Sequence, residues 1–168
     1  AQVVLVVERD FVAEDFAASA ADIVLDARPA GKVDPAQAAQ ALTDAVRALG
    51  LDALPWRESL IQWRARVRCL RAWMPELSLP DLSDDTLLAS LGTWLKPAFA
   101  GKTRLDALSE DELSEALKSG TDWGLRQRID ALAPTRIVVP SGMERKIEYA
   151  YDAASDAPQP PVLAVKLQ

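Results

Sequence analysis

The stretch LPWRESLIQWRARVRCLRAWM, residues 54–74, decides the fold because two stripes of different chemistry run along it. Its apolar residues recur every three or four positions, a spacing that places them on one face of an α-helix. They are Trp56, Leu60, Trp63, Val67, Leu70 and Met74. The repeat therefore predicts one long helix over residues 54–74, ended by Pro75.

The opposite face of this predicted helix carries arginines at steps of seven, four and three residues: Arg57, Arg64, Arg68 and Arg71. We call these four residues the arginine stripe. Arginine forks suit phosphate oxygens, and neighbouring tryptophans can stack on bases when they are exposed. Alternatively, the stripe forms ion pairs with acidic neighbours such as Asp81 and Asp84, and the tryptophans belong to the core. Both interpretations remain open at this point.

Helical patterns continue on both sides of residues 54–74. Asp34 and Pro35 fit the start of a helix that ends at Gly50, and Ser83 caps a short helix. Ser109 with Glu112 matches a reciprocal capping box, in which each side chain binds the other residue's backbone N–H group. A last helix is predicted over residues 122–133. About five helices therefore form a helical domain over residues 34–133.

Strand patterns occupy the two ends of the chain. Residues 3–9 and 22–28 are rich in β-branched side chains and predict a β-ribbon within residues 1–30. After Pro134 the apolar period changes to two, which predicts a hairpin of residues 135–139 and 145–151, followed by a strand over residues 162–167. We expect residues 134–168 to form part of a small OB-like β-module. The predicted class is thus α+β and mainly helical.

The terminal strands carry a second, weaker basic group, consisting of Arg136, Arg145, Lys146 and Lys166. In small β-barrels, basic and aromatic strand faces often follow a nucleic-acid backbone. The alternative is a solvated strand face. With the arginine stripe, these four residues complete the candidate nucleic-acid-binding set.

The amino-acid composition excludes several kinds of catalytic and metal-binding site. The 168 residues include no histidine, which excludes imidazole-based catalysis. They include a single cysteine, Cys69, which excludes an internal disulfide and a thiolate metal cluster. Acidic clusters such as Glu110 to Glu112 lie in first helical turns, where negative charge offsets the helix dipole. The net charge of -6 restricts any nucleic-acid contact to a local surface. We predict no catalytic or metal-binding residue, no membrane segment and a location in the cytoplasm.

Several stretches together resemble the C-terminal region of HrpB, a bacterial family of DEAH-box-type ATP-dependent helicases. The resemblance covers residues 50–168 and is carried by GLDALPW (50–56), LASLGTWLKP (88–97), DWGLRQRID (122–130), APT (133–135), VPSG (139–142) and PVLAVKLQ (161–168). It implies an accessory segment behind two RecA-like motor domains, where ATP and magnesium would bind. At that place, related helicases carry helical-bundle and OB-like modules that guide single-stranded RNA. The family's chain continues further, so we expect the β-module to be truncated at Gln168.

Two functional hypotheses follow. In the first, the segment helps a helicase bind or guide single-stranded nucleic acid beside an ATPase motor. In the second, it is a structural or protein-docking module that braces the helicase core without touching nucleic acid. The expected partners are the RecA-like motor domains of the same polypeptide and single-stranded RNA. The segment itself has no catalytic motif, so enzymatic activity is expected only of the longer parent protein.

Overall fold

A computed structural model of the chain describes residues 34–152, 154–155 and 157–163. Within them lie six α-helices, joined in part by short 3-10 turns. The helices are α1 (Pro35–Leu49), α2 (Glu58–Trp73), α3 (Asp84–Ala89), α4 (Leu91–Trp94), α5 (Glu110–Lys118) and α6 (Trp123–Leu132). Five short strands follow: β1 (Arg136–Val138), β2 (Glu144–Glu148), β3 (Tyr151–Asp152), β4 (Ala157–Pro158) and β5 (Val162–Leu163). This is the predicted α+β, mainly helical architecture.

The chain divides into two compact units that interleave along the sequence. Among the described residues, unit 1 comprises 34–55 and 90–117, and unit 2 comprises 56–89 and 118–163. The sequence patterns instead predict the consecutive segments 1–30, 34–133 and 134–168, and these boundaries stay a prediction. The predicted β-ribbon lies outside the described residues, as does Lys166.

Unit 1 is helical. Its helix α1 packs against α4 and against the 3-10 turn Lys96–Phe99. Fully buried apolar side chains form its core: Leu42, Val46, Leu91, Leu95, Phe99 and Leu113. The spacing of Leu42 and Val46 on α1 reproduces the period predicted from the sequence.

Unit 2 is built around α2, which contacts α6 and the strands β3 and β4. The predicted apolar stripe of α2 is confirmed, since Leu60, Trp63, Val67 and Leu70 are all buried. Two small antiparallel sheets complete the unit, one with strand order β1-β2-β5 and one formed by β3 and β4. The predicted hairpin is confirmed by the pairing of β1 with β2. Its turn uses Gly142, whose φ of 81° is readily available only to glycine.

Three predicted helix termini are confirmed, two by side-chain hydrogen bonds and one by backbone conformation. The carboxylate of Asp34 accepts a bond of 3.3 Å from the backbone N–H of Ala36 at the start of α1. Before α5, the backbone N–H of Ser109 donates to Glu112 and the backbone N–H of Glu112 donates to the Ser109 hydroxyl, at 2.9 and 3.2 Å. Gly50 ends α1 with a φ of 90° and a ψ of 171°, a conformation open essentially to glycine alone.

Two helix predictions need correction. Helix α2 begins at Glu58 rather than near residue 54, because Leu54 precedes Pro55 and is extended, with a ψ of 151°. The interpretation that the tryptophans belong to the core holds only in part, since Trp63 is buried whereas Trp123 is 74% exposed and Trp73 is 43% exposed. For Trp123 the reason is local: the buried residue of α6 is Ile129, six positions later, and at 3.6 residues per turn this places Trp123 about 120° away around the helix. No helix in the described residues is both long and apolar enough to cross a membrane.

Candidate nucleic-acid interface

The most buried arginine of α2 is Arg66, which lies beside the arginine stripe and whose side chain is only 4% exposed. Its guanidinium donates hydrogen bonds to the backbone carbonyls of Ala133 at 2.6 Å and Ile129 at 3.4 Å, and it pairs with Asp130 at 2.6 Å. Both carbonyls lie at the C-terminal end of α6, where positive charge is favourable; the Ile129 carbonyl also accepts from the backbone N–H of the C-cap residue Ala133 at 2.9 Å. Arg66 therefore joins α2 to α6 and faces away from solvent.

Arg64, a member of the arginine stripe, is also engaged within unit 2. Its Nε donates to the carbonyl of Leu82 at 2.8 Å, and its terminal nitrogen pairs with Asp84 at 2.5 Å, at the first residue of α3. The guanidinium also lies 5.5 Å from the ring centre of Trp56. With a side-chain exposure of 17%, Arg64 holds the start of α3 against α2. A phosphate could reach it only by displacing these contacts.

Arg68 and Arg71 occupy a different setting, because both line an open cleft of about 580 Å³ in unit 2. The Arg68 guanidinium lies 3.9 Å from the ring centre of Tyr151 in β3. Arg71 pairs with Asp81 at 3.2 Å and is about half exposed. Partial burial would raise the pKa of Asp81, but hydrogen bonds from Ser83 and the charge of Arg71 outweigh it and lower that pKa. Asp81 therefore stays ionised in the cleft wall.

The fourth member of the arginine stripe, Arg57, is the N-cap residue of α2 and is half-buried. The stripe is thus not one continuous surface. Arg64 is committed to α3, whereas Arg68 and Arg71 open onto the cleft. Arg57 lies one residue before the first turn of the helix.

The basic residues of the hairpin fall on its two faces. Arg136 and Lys146 are paired in the register of β1 and β2, so their side chains leave the same face. We call this the Arg136 face. Arg136 is 65% exposed and lies 3.4 Å from Glu144; Lys146 lies 3.6 Å from Glu58 and 3.7 Å from Glu148. Arg145 points to the other face, opposite Ile137, and its terminal nitrogen contacts the Met143 sulfur at 3.8 Å.

Cys69 is buried, and its thiol donates a hydrogen bond of 3.3 Å to the carbonyl of Ala150. Burial raises the pKa of the Cys69 thiol, although the charge of Arg68 acts in the opposite direction. A buried, protonated thiol is a poor nucleophile. Cys69 therefore packs in the core of unit 2. Among the described residues no group of His, Cys, Asp or Glu side chains could hold a metal ion.

Sequence reasoning missed Tyr151 as a candidate site residue. Tyr149 and Tyr151 lie two positions apart, and Tyr149 is buried with its hydroxyl donating to the carbonyl of Pro134 at 2.9 Å. That alternation would suggest one face for both rings. The structure separates them because β2 ends at Glu148 and Tyr151 begins the next strand, β3, which packs on α2. The sequence around Tyr151 shows only an aromatic residue beside the end of a strand. This feature is too common in proteins to identify a binding site.

Charge is distributed unevenly between the two units. In the described part of unit 1, residues 34–55 and 90–117, four Lys and Arg stand against eight Asp and Glu. In the described part of unit 2, within residues 56–89 and 118–163, eleven Lys and Arg stand against ten Asp and Glu. An anionic strand is therefore repelled less by unit 2 than by unit 1.

Comparisons with known proteins agree across sequence and structure. A family model described as ATP-dependent helicase C-terminal (HrpB_C) matches residues 94–168. The chain is 34% identical over 146 residues to the ATP-dependent RNA helicase HrpB of Escherichia coli strain K12, covering 87% of this chain and 17% of that protein.

Two solved structures are similar to this chain as well. One is the E. coli DExH-box NTPase HrpB, with a TM-score of 0.70 and 34% identity, covering 83% of this chain and 17% of that chain. The other is the E. coli DEAH/RHA helicase HrpB, with a TM-score of 0.67 and 36% identity, covering 82% of this chain and 17% of that chain. The chain thus spans about a sixth of the length of these relatives.

Proposed function

The chain corresponds to a C-terminal segment of the HrpB family of ATP-dependent helicases, and we propose that this segment contacts single-stranded RNA beside the ATPase motor. RNA is the expected nucleic acid because the E. coli relative is named an RNA helicase. We assign ATP and magnesium binding to RecA-like motor domains elsewhere in the longer protein, and place that protein in the cytoplasm. In this proposal the segment contributes binding and guidance, and the motor domains contribute the chemistry.

The observation that carries the proposal is a set of three exposed cations. Each of them is held only weakly, by an ion pair that is itself exposed. Arg71, Arg136 and Lys146 are each about half or more exposed, and their nearest carboxylates lie 3.2, 3.4 and 3.6 Å away. Exposed pairs of this kind stabilise a fold by about 0–1 kcal/mol. A phosphate oxygen can therefore replace the carboxylate at small cost. We call these three residues the exchangeable cations, in contrast to the internally bound Arg64 and Arg66.

The near-neutral charge of unit 2 predicts weak binding that depends strongly on salt. For single strands, log K falls with log salt by about 0.7 for each neutralised phosphate, so three contacts give a slope of about -2. Affinity should then fall about twentyfold between roughly 50 and 200 mM salt. The measurement is fluorescence anisotropy of a labelled single-stranded RNA against this chain over that range.

Single substitutions test which cations are used. Replacing Arg71, Arg136 or Lys146 with Ala should each make the slope shallower by about 0.7. Arg47→Ala is the matched control, because Arg47 forms a similarly exposed ion pair with Asp44 in unit 1 and its loss changes the net charge equally. The proposal fails if the chain has no RNA affinity at low salt, or if the control alters the slope as much as the three test variants.

A second candidate function, protein docking, is favoured by exposed apolar side chains. Val138 in β1 and Val162 in β5 are 66% and 59% exposed. Each lies directly opposite a glutamate of β2, so the two valines share the Arg136 face. In this alternative the valines bind the motor domains of the same polypeptide, and replacing both with Ser should weaken binding to motor domains supplied separately. Unchanged calorimetric affinity would exclude docking through these valines.

A further inference from the structure

The cleft in unit 2 combines a fixed guanidinium with an aromatic ring. Arg68 comes from α2 and Tyr151 from β3, two elements that pack together, and the guanidinium carbon lies 3.9 Å from the ring centre. This distance is well within the range of cation–π contacts, which hold a guanidinium over a ring. Both side chains line the cleft. A flat ligand that enters therefore meets a stacking surface assembled in advance.

The charges around the cleft select against a simple ion. Arg68 and Arg71 line it together with Asp81, Asp84 and Asp85, and Arg64 pairs with Asp84 from outside the cleft lining. The cleft is thus lined by two arginines and three aspartates, and one of these aspartates, Asp84, is already paired with Arg64. A free phosphate would meet the carboxylates, and a free cation would meet the guanidinium groups. A neutral heteroaromatic group with both donors and acceptors avoids either repulsion.

One carboxylate in the cleft, that of Asp85, has no protein partner among the described side chains. Asp81 already accepts from the backbone N–H of Ser83 at 2.9 Å and pairs with Arg71, and Asp84 pairs with Arg64. The Asp85 carboxylate is exposed to solvent and has no hydrogen-bond or ion-pair partner among the described side chains. An ionised carboxylate is an acceptor only, so it suits the exocyclic amino group of a base such as cytosine. The volume of about 580 Å³ lies within the range of small-ligand sites.

We infer that this cleft binds one unpaired nucleobase of an RNA strand, stacked at the Arg68 and Tyr151 pair, with a base amino group donating to Asp85. This inference rests on the proposed RNA contact and names the part of the strand that unit 2 recognises. Arginine planes and aromatic rings are the usual stacking partners of unpaired RNA bases.

The test distinguishes the contribution of the bases to binding from that of the phosphates. Binding of a labelled oligocytidine is compared with binding of an abasic strand of equal length, which keeps every phosphate and lacks every base. The unaltered chain should bind oligocytidine at least about fivefold more tightly, because stacking of a single base contributes that much or more. Tyr151→Ala should remove the difference and leave the affinity for the abasic strand unchanged. Tyr151→Phe is the matched control, since it keeps the ring and should keep the preference.

A second variant, at the protein surface, keeps the proposal testable if Tyr151→Ala fails to fold. Asp85 is exposed in the first turn of α3, so Asp85→Ala should leave the circular dichroism spectrum unchanged. It should abolish the tighter binding of oligocytidine over oligouridine, because uracil has no amino group. Equal binding of the oligocytidine and abasic strands by the unaltered chain would overturn the base cleft and leave the RNA contact standing. Absence of binding to both strands at low salt would overturn both proposals.

Discussion

Replacing Arg66 with Ala should be one of the most destabilising substitutions in α2. The change removes a guanidinium that is 4% exposed and leaves the buried carbonyl of Ala133 without its 2.6 Å donor. A hydrogen bond to a charged group contributes about 1.5–3 kcal/mol, and each buried methylene of the arginine stem adds about 0.8 kcal/mol. The ion pair with Asp130 adds little, because that carboxylate is 69% exposed and regains water.

With two methylenes lost, these terms give a decrease in stability of about 3–5 kcal/mol, in line with the usual cost of removing one partner of a buried ion pair. Urea unfolding followed by tryptophan fluorescence measures this decrease. With a dependence of about 2 kcal/mol per molar urea, the midpoint should fall by about 1.5–2.5 M. Arg66→Met keeps an apolar stem of similar length. The decrease in unfolding free energy caused by this variant should be about half as large, and it measures the contribution of the hydrogen bonds alone.

Arg71→Ala is the control for this experiment, because Arg71 lies on the same helix and its ion pair with Asp81 is about half exposed. Its loss should cost at most about 1 kcal/mol, a midpoint shift of about 0.5 M or less. If Arg66→Ala shifts the midpoint no further than Arg71→Ala does, the joint between α2 and α6 does not depend on Arg66 and the reasoning is refuted.

Two further predictions concern ionisation. Hydrogen bonds from Lys102 and Ser109 lower the pKa of Glu112 from 4.5 to about 2. Its contribution to the stability of α5 should therefore be complete above pH 4.5 and lost as the pH falls towards about 2; an NMR titration midpoint near 4.5 in the folded chain would contradict this. Burial raises the pKa of Cys69, so its thiol should react with Ellman's reagent slowly in the folded chain and rapidly in urea; rapid reaction of the folded chain would show that the thiol is accessible.

Local features of the fold could be predicted from the sequence because their causes are local. The apolar period of α2, the capping box of Ser109 and Glu112 and the hairpin turn at Gly142 each depend on residues a few positions apart. Repeat spacing and cap chemistry act over that range whatever the rest of the chain does. The resemblance to HrpB helicases likewise came from short motifs in a fixed order, and the comparisons confirm it.

The roles of the arginines were not predictable in the same way, because they depend on residues distant in sequence. Arg66 binds carbonyls 63 and 67 residues away, and Arg64 pairs with a carboxylate 20 residues away. Helical spacing places both on α2 but cannot say which carbonyl or carboxylate folding brings to them. The tertiary packing of α3, α6 and β3 on or beside α2 decided that Arg64 and Arg66 serve the fold, while Arg68 and Arg71 line an open cleft.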